Sequence, residues 1–292
     1  MDLKDFKFFK DKDISIIRQD LNSIIAGDTS SLYRLIKLDK DGLALADYKK
    51  KEYDDLKDID DSYRIDFYFE DREDGSYLIS ESPKDFKEEL SDDQIIEVGK
   101  RIGEFIYKFH NKNLCDKSLW DKLMNNRINL FTYNYNMSPF KSERAYIVFD
   151  FLNENKYVLE DRQEGKILNF NRLDNIKIGK DLSFFIDTEN ATSFTDPFYE
   201  FRSFNVDDDL LLLKYAILRG YFSDKIPRLF YRILAIYTIE DIISNKYFSD
   251  PNADITDEID KILAIYDDFE TLKPGWIMRL EERLNSDHEN RL

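Results

Sequence analysis

The stretch IDTENATSFTDPFYEF, residues 186–201, decides how this sequence is read. Upstream, Leu182-Ser183-Phe184-Phe185 makes it the end of an apolar strand that delivers one carboxylate, Asp187, into a polar run. A carboxylate at a strand end can hold a hard cation such as Mg²⁺ through oxygen, leaving other coordination positions for water and phosphate. The plain alternative is a turn residue, since Asp favours turns. Glu189, Asp196-Pro197 and then Glu200 follow at short spacing, so four carboxylates punctuate one segment.

Working outward, the whole chain has 292 residues, 42% of them apolar and 15% aromatic, enough to bury a substantial core and to exclude disordered or fibrous classes. With 43 basic against 60 acidic residues the net charge is -17, which argues against a nucleic-acid groove but leaves room for a nucleotide held by a few local cations or a metal. The single cysteine, Cys115, excludes an internal disulfide and a thiolate-rich zinc site. With His110 and His288 as the two histidines, a His-based triad lacks parts. No apolar run reaches the ~18 residues of a spanning helix. The start, MDLKDFKFFKDKD, has no apolar core of a secretory signal, so a soluble, cytoplasmic protein is expected.

Short strand-like segments fill roughly the first 80 residues, and mostly helical ones follow 200. Residues 14–25 alternate weakly into the small polar turn AGDTSS, and Leu32–Leu38 has strand character. Asp39-Lys40-Asp41-Gly42 reads as a hairpin turn, with Leu43–Tyr48 as the returning strand. Tyr53, Leu56 and Ile59 are at helical spacing, and strands are expected at Tyr63–Phe69 and Tyr77–Ser80. Ser91 and Gln94 form a capping box ahead of a helical face made of Ile95, Val98, Ile102, Phe105, Ile106 and Phe109. Further strands are expected at Ala145–Phe151 and Leu182–Ile186, then three helices from Asp207 onward. Asp207-Asp208-Asp209 reads as a cation site or, more simply, as helix capping, and the aromatic run 129–140 as a packed loop or a lining for a quaternary ammonium group.

Ile186, Asp187, Glu189, Ala191, Asp196 and Pro197 together resemble the I-D-[WF]-E-x-A…D-P-x-x-D-[LF] signature of aminoglycoside phosphotransferases and bacterial choline/ethanolamine kinases, with Glu200 where an Asp is usual. The resemblance implies an α+β, two-lobed protein kinase-like fold. Residues 1–82 would be a small β-rich N-lobe with a five-stranded sheet, and residues 83–292 a larger, mainly helical C-lobe. It implies ATP and magnesium as cofactors and a small hydroxyl-bearing substrate, such as an amino alcohol or a sugar. AGDTSSLYRL resembles the family's nucleotide loop, which assigns Gly27, Thr29 and Ser30 to phosphate, and KKKEYDDLKDI resembles the helix whose Glu, here Glu52, pairs with the ATP lysine. RIGEFIYKFH resembles the helix ending in L-x-x-[FL]-H.

Three departures stand out. The third strand, taken as LALADY, has Ala46 or Asp47 where the ATP lysine belongs; Lys37 on the preceding strand and Lys49 are the cations in reach of the cleft, neither in register, and a solvated surface lysine is the simpler reading of each. The catalytic motif H-[GN]-D-x-x-x-x-N-I has two placements. One aligns LEDRQEGKIL, keeping Asp161 as the base but putting Lys166 in place of the Asn; its simpler reading is a hairpin turning at RQEG. The other aligns LNFNRLDNIK, keeping Asn175 and Asp187 as metal ligands but putting Phe170 in place of the catalytic Asp. Two functions follow: a phosphotransferase, or a pseudokinase kept as a binding or scaffolding module with a protein partner.

Overall fold

The computed structural model describes residues 3–20, 23–38, 40–115, 119–169, 173–188, 191–206 and 209–289. They divide into two compact units, residues 1–98 with 174–187, and residues 99–173 with 188–292. The first unit runs to residue 98, and a later hairpin joins it. That hairpin is held there by backbone bonds from Arg64 N to Phe184 O and from Phe86 N to Ile178 O, at 2.8 and 2.9 Å.

The first unit is built on a five-stranded antiparallel sheet of order β1-β2-β3-β5-β4, comprising β1 (Ser15–Gln19), β2 (Ser23–Gly27), β3 (Ser31–Leu38), β4 (Asp66–Arg72) and β5 (Gly75–Pro83). In β3 the period-two pattern buries Tyr33 and Leu35, which join Phe6 and Phe9 of the N-terminal 3₁₀ turns and Tyr77 and Ile79 of β5 in one apolar cluster. Between β3 and β4 runs the helix α1 (Lys40–Lys57). The expected turn and returning strand at 39–48 are thus corrected, apart from residue 39, which lies outside the described residues. Leu and Ala, which make up most of LALADY, are among the strongest helix formers, and Ala46, Tyr53 and Leu56 bury one helical face. The late hairpin is β7 (Ile176–Ile178) paired antiparallel with β8 (Phe184–Ile186).

Helix α2 (Asp92–Lys112) opens with the expected capping box: Ser91 N donates to Gln94 Oε1 at 3.0 Å and Gln94 N to Ser91 Oγ at 3.4 Å. In the second unit it crosses α5 (Leu211–Tyr221) so closely that a Cβ added to Gly103 would lie 2.0 Å from Ile217 O. The apolar core of this unit gathers α3 (Trp120–Met137), α4 (Ala145–Asn155), α6 (Arg228–Tyr247) and α7 (Thr256–Tyr266), with α8 (Gly275–Glu289) following. Two expectations are corrected here. Ala145–Phe151 is helical because Ala145, Val148, Phe149 and Leu152 share one buried face. The aromatic run from 129 belongs to α3 up to Met137, with Phe131 and Tyr135 in the core. Residues 156–159 form a 3₁₀ turn, and β6 (Gly165–Ile167) pairs with β9 (Thr192–Thr195) rather than folding back as a hairpin about RQEG. None of the described helices is long and apolar enough to cross a membrane.

Candidate functional site

The β7–β8 pairing places Ile176 opposite Ile186, Lys177 opposite Phe185 and Ile178 opposite Phe184. One step further, Asp187 N donates to Asn175 O at 3.0 Å, so Asn175 and Asp187 face each other at the open end of the hairpin. Directly opposed residues of an antiparallel pair point to one side, and alternation brings Lys177 and Phe185 to that same side. The isoleucines fill the other face and are fully buried, while Asp187 is half-buried. The Asp187 carboxylate and the Lys177 ammonium therefore lie within electrostatic reach of each other, beside Asn175, the last residue of a 3₁₀ turn, whose carbonyl accepts the Asp187 backbone N–H.

The electrostatics follow from that face. Burial holds the Lys177 ammonium below its ordinary range, and Lys87 and Arg34 push the same way, against the pull of Asp187 and Asp85. The Lys177 Nζ also lies 5.7 Å from the Phe185 ring centre. Asp85 accepts from Ile178 N at 3.3 Å and pairs with the buried Lys87 at 2.9 Å, while Lys87 Nζ donates to Ile176 O. This clip fixes β7 from its outer edge. On the β8 side, buried Tyr63 donates to Ile186 O at 3.1 Å and sits 6.0 Å from Phe185, as does Tyr53 of α1. Burial pushes the Tyr63 hydroxyl well up, with Tyr53, Asp187 and Glu52 adding to it. The structure thus brings Asp187, Asn175 and Glu52 into one neighbourhood of the first unit.

The other candidates fall elsewhere. The turn between β2 and β3 is closed by its own carboxylate: Asp28 accepts from Ser30 N at 2.8 Å, Ser31 N at 2.7 Å and the Tyr33 hydroxyl at 2.6 Å. Burial would raise the Asp28 carboxyl, but these donors outweigh it and hold it below the usual carboxylate range. Gly27 ends β2, and Thr29 and Ser30 are exposed. Lys37 is exposed on β3, with its Nζ 5.7 Å from the Tyr77 ring centre. Arg34, three residues earlier, and Lys177 are the cations that sequence reasoning missed. Lys177 was legible as the residue two places after Asn175; Arg34 required the register of β3.

In the second unit, Asp161 lies in an exposed turn with φ 56° ahead of β6. Its neighbour Arg162 grips the fully buried Asp196 through two bonds of 2.6 and 2.8 Å. Asp196 also accepts from Tyr237 Oη at 2.6 Å and caps the following 3₁₀ helix through Phe198 N at 2.9 Å. Glu200, buried as well, accepts from Leu168 N at 2.6 Å and meets His110 Nε2 at 3.3 Å. Arg202 donates to Asn169 Oδ1 at 2.8 Å. The DPFYE elbow therefore anchors the first residues after β6. Phe170, Glu189, Asp207 and Asp208 lie outside the described residues. Among the described residues no group of three His, Cys, Asp or Glu gathers as a metal cluster.

No protein-family model matches this sequence, and no curated protein matches it. Solved structures do match. The GDP complex of wild-type aminoglycoside 2'-phosphotransferase-IIIa aligns over 89% of this chain and 94% of its own, at TM-score 0.51 and 15% identity. A choline/ethanolamine kinase family protein from Mesorhizobium loti aligns over 92% of each chain, at TM-score 0.51 and 11% identity. The ADP-bound aminoglycoside phosphotransferase APH(2'')-Ib covers 92% of this chain and 96% of its own, at TM-score 0.50 and 13% identity. The chain has their kinase-like fold.

Proposed function

We propose that this chain is a kinase-like phosphotransferase of the small-molecule type that holds a magnesium nucleotide at Asn175 and Asp187, and in which the transfer step is impaired. The single observation carrying this reading is the opposition of Asn175 and Asp187 at the open end of β7–β8. An amide and a carboxylate supply two hard oxygens, a donor set that suits Mg²⁺, with phosphate and water completing its shell. When bound, the metal would neutralise charge on the nucleotide phosphates. Lys177 on the same face adds a fixed cation toward those phosphates, and the nucleotides named in the matched structures, ADP and GDP, fit this reading.

Impairment follows from the second placement of the catalytic motif, which the connection between β6 and β7 favours. It assigns Leu168 and Phe170 to the positions of the family's His and Asp. A phenyl ring cannot orient or accept a proton from an attacking hydroxyl, a role worth roughly 10²–10⁴ in rate. The substrate class implied by the resemblance is the hydroxyl of an amino alcohol or sugar, and a protein partner accompanies the pseudokinase end of the reading.

The test is Phe170→Asp beside Phe170→Ala, assayed for ATP-dependent phosphorylation of choline, ethanolamine and aminoglycosides. Restored turnover in Phe170→Asp and none in Phe170→Ala is expected. Wild-type turnover at ordinary kinase rates, about 1–100 per second, would overturn the impairment.

A further inference from the structure

In the second unit, the end of α5 and the segment after it, the start of α6, the residues before α8 and α8 itself line an open cavity of about 880 Å³. Its charge runs opposite to that of the chain. The lining carries five cations, Arg219, Lys225, Arg228, Arg232 and Lys273, against three carboxylates, Asp224, Glu270 and Glu281, whereas the whole sequence has 43 basic and 60 acidic residues. Internal pairing then removes most of the negative charge. Asp224 is taken by Arg219 at 2.6 Å and by Lys100 at 2.9 Å. Glu281 is taken by Lys273 and by the Tyr215 hydroxyl, the latter at 3.2 Å. Lys225, Arg228 and Arg232 make no ion pair among the described residues, and Arg232 is oriented by a 3.0 Å bond to the Tyr157 hydroxyl.

These cations sit where stability alone would not put them. Arg228 and Arg232 are one helical turn apart on α6, where like charges repel. Lys225 and Arg228 lie at the positive end of a helix of 20 residues that has no side-chain cap and no acidic residue in its first turn. Three cations and a helix start therefore converge on one cavity against a single remaining carboxylate, Glu270, and an entering anion lowers their mutual repulsion.

We propose that this cavity is a binding site for a small multivalent anion, a ligand bearing two or more phosphate or carboxylate groups, held by Lys225, Arg228 and Arg232 at the start of α6. It is formed wholly within the second unit and contains neither Asn175 nor Asp187. The guanidinium groups give paired donors to oxyanions, and the lysine supplies a point charge.

The experiment is calorimetric titration of the full chain with inorganic tripolyphosphate in buffer stripped of divalent metal on a chelating resin, so that neither a metal nor a soluble chelator contributes. Saturable binding is expected in the wild type and in Asp187→Ala, weakened about tenfold or more in Arg228→Gln/Arg232→Gln. Arg228 is exposed and Arg232 half-buried, so the double variant is expected to keep its unfolding temperature. If it does not, Lys225→Gln, at an exposed position, is expected to weaken binding several-fold by itself. Absence of saturable binding in the wild type, equal affinity in these variants, or loss of binding in Asp187→Ala would overturn the proposal.

Discussion

Asp187 and Asp196 stand nine residues apart in one signature stretch, yet they serve opposite ends. Asp196 is fully buried and accepts four bonds, two from Arg162, one from Tyr237 and one from Phe198 N. Asp187 is half-buried at a strand end, facing Asn175 and sharing a ribbon face with Lys177. Asp196 shapes the scaffold, whereas on the reading proposed above Asp187 meets a ligand. Substitutions at the two should therefore separate into a structural and a chemical effect.

The largest effect is expected from Arg162→Met. It strands the Asp196 charge in the core, and breaking such a pair costs about 3–5 kcal/mol. Urea unfolding measures it, and a loss below about 1 kcal/mol would remove the scaffold half of the contrast. Asp187→Ala should do the reverse: apo stability within about 0.5 kcal/mol of wild type, but loss of the stabilisation, about 2.7 kcal/mol at a hundredfold excess over Kd, that magnesium nucleotide gives. Thermal shift with and without ATP separates the two outcomes. Trp120→Phe is expected to be milder, about 1 kcal/mol. It deletes the 2.9 Å bond from the Trp120 indole to Tyr237 Oη, the group that in turn donates to Asp196.

The smallest effect concerns Asp28, held below the usual carboxylate range by Tyr33 and the Ser30 and Ser31 amides, against the opposing push of burial. Its contribution to stability is present above the ordinary Asp value near 3.8 and is lost as pH falls through the lower folded value. Asp28→Asn should lower stability slightly at neutral pH and flatten the acid limb below pH 4. An unchanged acid limb would mean that this turn is not fixed by its carboxylate.

Much of the contrast was legible in the sequence. Apolar residues ending in Asp187 announce a strand end, and Ser91 with Gln94 announces the start of α2, because both signals are local. The hairpin read at 39–48 went astray because DKDG has turn composition, while LALADY after it consists mainly of helix formers, and the burial of Ala46, Tyr53 and Leu56 on one side decides it. AYIVFDF misled through β-branched and aromatic content, where a buried helical face outweighed propensity. The Arg162–Asp196 grip spans 34 residues and carries no periodic signal. The unpaired cations of the α6 cavity, Lys225, Arg228 and Arg232, stand close together in the sequence, but the cavity joins separate segments, and those three are set apart only once the ion pairs of Asp224 and Glu281 are known.

The most direct test of the proposed nucleotide site is calorimetric titration of the wild type and Asp187→Ala with ATP, with and without Mg²⁺. Saturable binding that requires Mg²⁺ in the wild type and vanishes in Asp187→Ala is the expected result. No binding at millimolar ATP, or equal binding in the variant, would contradict the assignment of Asn175 and Asp187 as the nucleotide–metal site.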